Sequence, residues 1–165
     1  MTSGDIEWAL IKPQRSKFNF LKCIVVPNVS WGMVNHECDL LALTKSDVAH
    51  EIEIKVSKSD LKADKRKRHN HPGGKLIKYL WFAGPESLED AFVEYAPEKA
   101  GIILVYEDYA ERPGMCYRVA RHPKPNPMAR KWTQEDRIRL ARLGAMRYWT
   151  RWGYSPADSG KEGEE

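Results

Sequence analysis

The segment HECDLLALTKSDVAHEIEIKV (36–56) constrains the fold of this chain more than any other. It holds two strand-like runs, 36–43 and 49–56, joined by a short turn around Lys45-Ser46-Asp47. Side chains alternate along a strand, so Ile52, Ile54 and Val56 take one face while Glu51, Glu53 and Lys55 take the other. In the first run Cys38, Leu40 and Ala42 share a face, opposite Glu37, Asp39 and Leu41. Setting Leu40 against Ile52 also brings Cys38 to Ile54 and Leu43 to Ala49, and leaves a three- or five-residue turn centred on Ser46. A slip of one residue would oppose Leu40 to Glu53. Apolar matching alone therefore places Asp39 opposite Glu53 and Glu37 opposite Lys55. Glu51 falls opposite Leu41, toward the turn, where replacement should be tolerated.

Two carboxylates facing each other across a ladder repel unless something compensates. A divalent cation would do so, and oxygen ligands without His or Cys favour Mg2+ or Mn2+ over zinc. A lysine on the same face can hold a scissile phosphate and position an attacking water. The plain alternative is an exposed hairpin face whose Glu and Lys pair across strands. The segment downstream weighs against it. From Lys55 to Lys78, 24 positions carry nine of the chain's 27 Lys and Arg residues against two acids, Asp60 and Asp64. An acidic cluster beside a basic helix suits a metal site that receives a polyanion.

Elsewhere, residues 4–12 read as a helix with Ile6, Ala9 and Leu10 inward, and 21–31 as a strand interrupted at Pro27. Ser59 or Asp60 would cap a helix through 61–69, stopped by Pro72-Gly73-Gly74. Residues 75–84 and 100–108 read as strands, with a helix over 87–95 between them. The Pro-rich stretch 112–132 reads mostly as loop, with a short strand near CYRVA. Thr133 and Asp136 form a capping-box-like start to a last helix ending near Trp149 or Trp152. This order predicts an α/β fold with a central mixed sheet flanked by helices. Trp81 reads as core, Trp149 and Trp152 as packing on the sheet, and Cys23 and Cys38 as small buried hydrophobes. His69-Asn70-His71 lacks a second ligand pair and reads as a helix end that contacts phosphate or water.

The 165 residues suit one domain over 1–154 with a disordered acidic tail at 155–165. No apolar run reaches membrane-span length, and the N-terminus lacks the apolar core of a signal peptide. Three scattered cysteines without a CxxC pair argue for a reducing, cytoplasmic setting.

Asp39, thirteen intervening residues, then Glu53-Ile54-Lys55, with each motif part on an apolar strand, resembles the D…(D/E)xK signature of the PD-(D/E)xK nuclease superfamily. The helix–three strands–helix–strand order of residues 5–108 resembles its restriction-endonuclease-like αβββαβ core, here followed by a C-terminal helix. The string EIEIKVSKSDLKAD and the basic stretch after it look most similar to MmcB-like, DNA-repair-associated members and related phage or bacterial proteins. The pattern departs from the fullest form in having Glu37-Cys38, not Pro, before Asp39. The resemblance implies a Mg2+- or Mn2+-dependent deoxyribonuclease acting in repair or phage DNA metabolism, on double- or single-stranded DNA, alone or beside other repair proteins. It implies Asp39, Glu53 and the Ile54 carbonyl as metal ligands, Lys55 as the group that orients water and steadies the phosphate, and Glu7 of the first helix as an outer ligand or as the group that orients a metal-bound water. It also implies DNA contacts from Ser57, Lys58, Ser59, Lys62, Lys65, Arg66, Arg68, His69, His71 and Lys75. The alternative is a DNA-binding accessory protein of a repair complex that keeps the fold and cleaves weakly.

Overall fold

The computed structural model describes residues 1–13, 15–29, 37–66, 75–108 and 114–151, with Lys65, Arg66 and Arg151 described by backbone alone. Through them the chain runs α1 (Ser3–Ile11), β1 (Ile24–Val29), β2 (Cys38–Leu43), β3 (Ala49–Ile54), α2 (Lys58–Arg66), β4 (Ile77–Pro85), a 3-10 turn (Glu86–Leu88), α3 (Glu89–Tyr95), β5 (Gly101–Asp108), β6 (Gly114–Arg121) and α4 (Gln134–Arg151). The strands form one sheet in chain order, β1 to β6. The β1–β2, β2–β3 and β5–β6 pairs are antiparallel. The β3–β4 and β4–β5 pairs are parallel, and α2 and α3 supply the crossovers that parallel neighbours require. The chain is thus the expected α/β fold, a mixed sheet between helices with a helix at its C-terminal end.

The sheet is covered unequally. On one face Leu61 of α2 and Phe92 of α3 pack against Phe82, Ile102 and Leu104. Farther along, Leu140 of α4 meets Val26, Leu41 and Leu43. On the other face Ile6, Ala9 and Leu10 of α1, with Phe18 behind them, cover Leu40, Ile52, Ile54, Trp81 and Ile103. Local signals explain the helix starts. Thr2 Oγ1 accepts from Asp5 N while Asp5 accepts from Thr2 N. Thr133 and Asp136 exchange the same pair of bonds at α4. Ser57, not Ser59 or Asp60, caps α2, its hydroxyl accepting from Asp60 N at 3.2 Å.

Three expectations change. β6 is an eight-residue strand and not a short one in a loop, and its Met115, Tyr117 and Val119 pack on the α1 cluster. Trp149 does not pack on the sheet: it is 58% exposed, because α4 turns Leu140, Leu143 and Gly144 inward, Gly144 facing Val26. Cys38 is buried, but with Val29, Leu41 and Leu43 and not with Leu40. Trp152, the tail 155–165 and the end expected for α2 at residue 69 lie outside the described residues.

The segment 122–133 straps the sheet at one end. Its backbone N–H groups donate in turn to carbonyls that precede or begin successive strands: Lys124 to Lys99, Asn126 to Lys78, Arg130 to Lys75, and Trp132 to Asp47 in the β2–β3 turn. Trp132 Nε1 also donates to Leu76 O at 2.7 Å, with its ring buried. The strap delivers α4 from the β6 edge to β1 without passing over the C-terminal ends of β3 and β4. No helix among the described residues is long and apolar enough to cross a membrane.

Candidate functional site

The hairpin closes in the register that apolar matching predicts, from Leu43↔Ala49 to Leu40↔Ile52, with Glu51 against Leu41. Thr44 N donates to Val48 O, so Lys45–Asp47 form a three-residue loop, with Asp47 in the left-handed region at φ 63°. At the opposite end the ladder stops and a side chain replaces it. Ile54 N donates to Asp39 Oδ2 at 2.7 Å, so β3 itself aims that carboxylate. Lys55 N donates to Ala83 O at 2.9 Å, which fixes the end of β3 on β4. Gly84 is required there: a Cβ would stand 2.3 Å from Lys55 O and 2.4 Å from the Phe92 ring.

Lys55 occupies the centre of the cluster. Its Nζ lies 2.8 Å from Glu53 Oε2, 3.4 Å from Asp64 Oδ1 and 4.0 Å from Asp39 Oδ2. The Lys55, Glu53 and Asp64 side chains are 13%, 7% and 12% exposed, whereas Asp39 is 41% exposed and forms the open side. Burial pushes the Glu53 carboxyl above the usual range, and the nearby ammonium only partly offsets it. Burial alone would lower Lys55, but Glu53, Asp64 and Asp39 outweigh it and hold its ammonium above the ordinary value. Glu53 Oε1 is buried with no hydrogen-bond partner among the described residues.

These residues fit a hard divalent cation in a limited sense. Two carboxylates, one with an orphaned buried oxygen and one open to solvent, match the few protein ligands that Mg2+ takes alongside water. Glu7 is not brought to them. Its helix packs on the face from which Ile52 and Ile54 project, and Glu53 projects from the other. Among the described residues no group of three or more His, Cys, Asp or Glu side chains is placed to hold a metal.

The expected DNA contacts divide. Ser57 and Ser59 lie 2.8 Å apart at the start of α2, beside the cluster. Lys58 and Lys62 reach toward α3, their Nζ atoms 5.8 and 5.6 Å from the Tyr95 ring, with Lys58 also 4.0 Å from Glu94. Lys65 and Arg66 stand on the last turn of α2. Arg68, His69 and His71 lie outside the described residues. Lys75 belongs to the strapped end, roughly 25 Å of strand away from Ala83. Glu51 is 1% exposed, so it is a core position and not a replaceable one. Asp64, which the D…(D/E)xK pattern does not contain, completes the cluster.

The sequence matches no protein-family model and no curated protein. Among solved structures, a protein of unknown function from Silicibacter pomeroyi has a similar fold, with a TM-score of 0.52 at 16% identity. The likeness covers 87% of this chain and 86% of that one. It bears on the fold alone.

Proposed function

We propose that the chain is a Mg2+- or Mn2+-dependent nuclease that hydrolyses DNA phosphodiester bonds at Asp39, Glu53 and Lys55, of the PD-(D/E)xK type that the sequence resembles. The observation that carries this reading is the buried Glu53 carboxylate, with one oxygen on Lys55 and the other without a partner among the described residues, beside an Asp39 aimed by the backbone of β3. A bound cation would polarise the scissile phosphate and acidify a water. Asp39 and Glu53, with the Ile54 carbonyl, would hold it. Lys55 would bind a non-bridging phosphate oxygen as negative charge develops there. The basic residues of α2 and the segment after it would position the DNA backbone.

The test is cleavage of plasmid and single-stranded DNA with Mg2+ or Mn2+, run beside Glu53→Ala and Lys55→Ala. Each substitution is expected to lower the rate by about 10²-fold or more. Cleavage that survives both would sink the site. One observation favours a second reading, a DNA-binding accessory role in repair: α1, the helix of Glu7, covers the other face of the sheet, and among the described residues no group of three acids is placed to hold a metal, fewer than the fullest nuclease pattern. Salt-sensitive DNA binding without cleavage would support that role.

A further inference from the structure

The charge at the centre of the cluster is supplied by the protein itself. Lys55 Nζ lies within 4.0 Å of Glu53, Asp64 and Asp39 together, and Glu53 is 6% exposed with Oε1 unpartnered among the described residues. Two cations cannot share Glu53 and Asp39 at such distances without strong repulsion. Asp64 is on a separate element, α2, anchored by the buried Leu61 one turn earlier.

We propose that Lys55 is an internal counter-ion that exchanges with the divalent cation, and that Asp64 is the positioning residue that keeps Lys55 in the site after the exchange. This rests on the metal-dependent reading above and adds its regulation. Before the cation arrives, the ammonium neutralises Glu53. When the cation takes Asp39 and Glu53, Lys55 moves the short distance to Asp64 and remains beside the phosphate position. Without Asp64 the lysine has no second seat and keeps hold of Glu53. Cation uptake is therefore weak in the protein alone and strengthens when a DNA phosphate offers Lys55 another partner.

Calorimetric titration of the full chain with Mn2+ tests this, alongside Lys55→Met, Asp64→Asn and Asp64→Glu, each checked for folding by thermal melting. Lys55→Met is expected to bind Mn2+ at least tenfold more tightly than the parent. Asp64→Asn should bind severalfold more weakly, and Asp64→Glu should return close to the parent. If Asp64 merely anchors α2, Asp64→Asn will melt earlier with unchanged Mn2+ affinity, which overturns its role. Equal affinities for the parent and Lys55→Met would overturn the exchange while leaving the metal site standing. No uptake by the parent or Lys55→Met would remove both. Should Lys55→Met fail to fold, the Asp64→Asn and Asp64→Glu pair decides alone.

Discussion

His50 sits in β3 with its ring stacked on Tyr79, centroids 5.0 Å apart, and its Nδ1 accepting from Trp81 Nε1 at 3.1 Å. Burial, aided by the nearby Lys17 ammonium, pushes its pKa from 6.5 down to about 4. Between those values the unfolded chain binds a proton that the folded one refuses. The stabilisation from neutral His50 is complete above pH 6.5 and is lost as the pH falls through about 4, amounting to roughly 3 kcal/mol at most. Glu53 works in the opposite sense, since its raised carboxyl makes the folded state the better proton binder. The comparison must therefore be internal: the urea midpoint of the parent should fall over this window, and that of His50→Gln should fall less. Equal slopes would remove His50 from the account. At this scale the placement of Asp39 and Glu53 was legible because apolar neighbours fix the register for every residue between them. Asp64 was legible in principle. Leu61 is the one large apolar residue of KSDLKADKR, so it must face inward, and an acid three positions on shares its side. The burial of Glu51 was not legible, because alternation gives its face but not that α-helices cover that face.

Elements position the site through close backbone approach. Gly84 lets β4 lie against the Lys55 carbonyl and lets Phe92 of α3 press on the same point. Gly84→Ala must push either β3 or α3 away, an overpacking cost of about 1–3 kcal/mol. A lower urea midpoint is expected, together with weaker Mn2+ binding, because the displaced end of β3 carries Glu53 and the Ile54 carbonyl, the proposed ligands. Gly4→Ala is the control, since its Cβ would meet only Thr2 Oγ1 at an ordinary 3.8 Å. Equal midpoints for the two variants would refute the close approach. In β6 local composition and pairing point in different directions. Met115, Tyr117 and Val119 alternate as a half-covered strand should, but prolines at 113, 123, 125 and 127 dominate the composition around them. Pairing to β5 decides the matter, and a linear reading cannot see it.

Across the whole molecule the two ends of the sheet do different work. The strap of residues 122–133 ties β5, β4 and the β2–β3 turn together at one end, and Arg137 holds the same turn through Asp47 at 2.6 Å. The carboxylate cluster lies at the other end, where no strap crosses among the described residues and Asp39 is 41% exposed. The mixed sheet was legible because each strand and helix announces its own period, but the strap was not, because its bonds are backbone to backbone and its prolines resemble any loop. Trp132 separates the two roles. It fills the junction of α4, β4 and the hairpin, and its indole N–H donates to Leu76 O. Trp132→Ala should cost about 3–5 kcal/mol through the cavity it leaves, and Trp132→Phe about 1–2 kcal/mol through the lost hydrogen bond. Because the strap and the cluster sit at opposite ends of parallel strands, both variants should bind Mn2+ with the parent's affinity at temperatures where they remain folded. Chemical denaturation gives the first quantity and calorimetry the second. A Trp132→Phe variant that keeps its stability but loses Mn2+ affinity would mean that the strap, and not the β3–β4 junction, sets the geometry of the cluster.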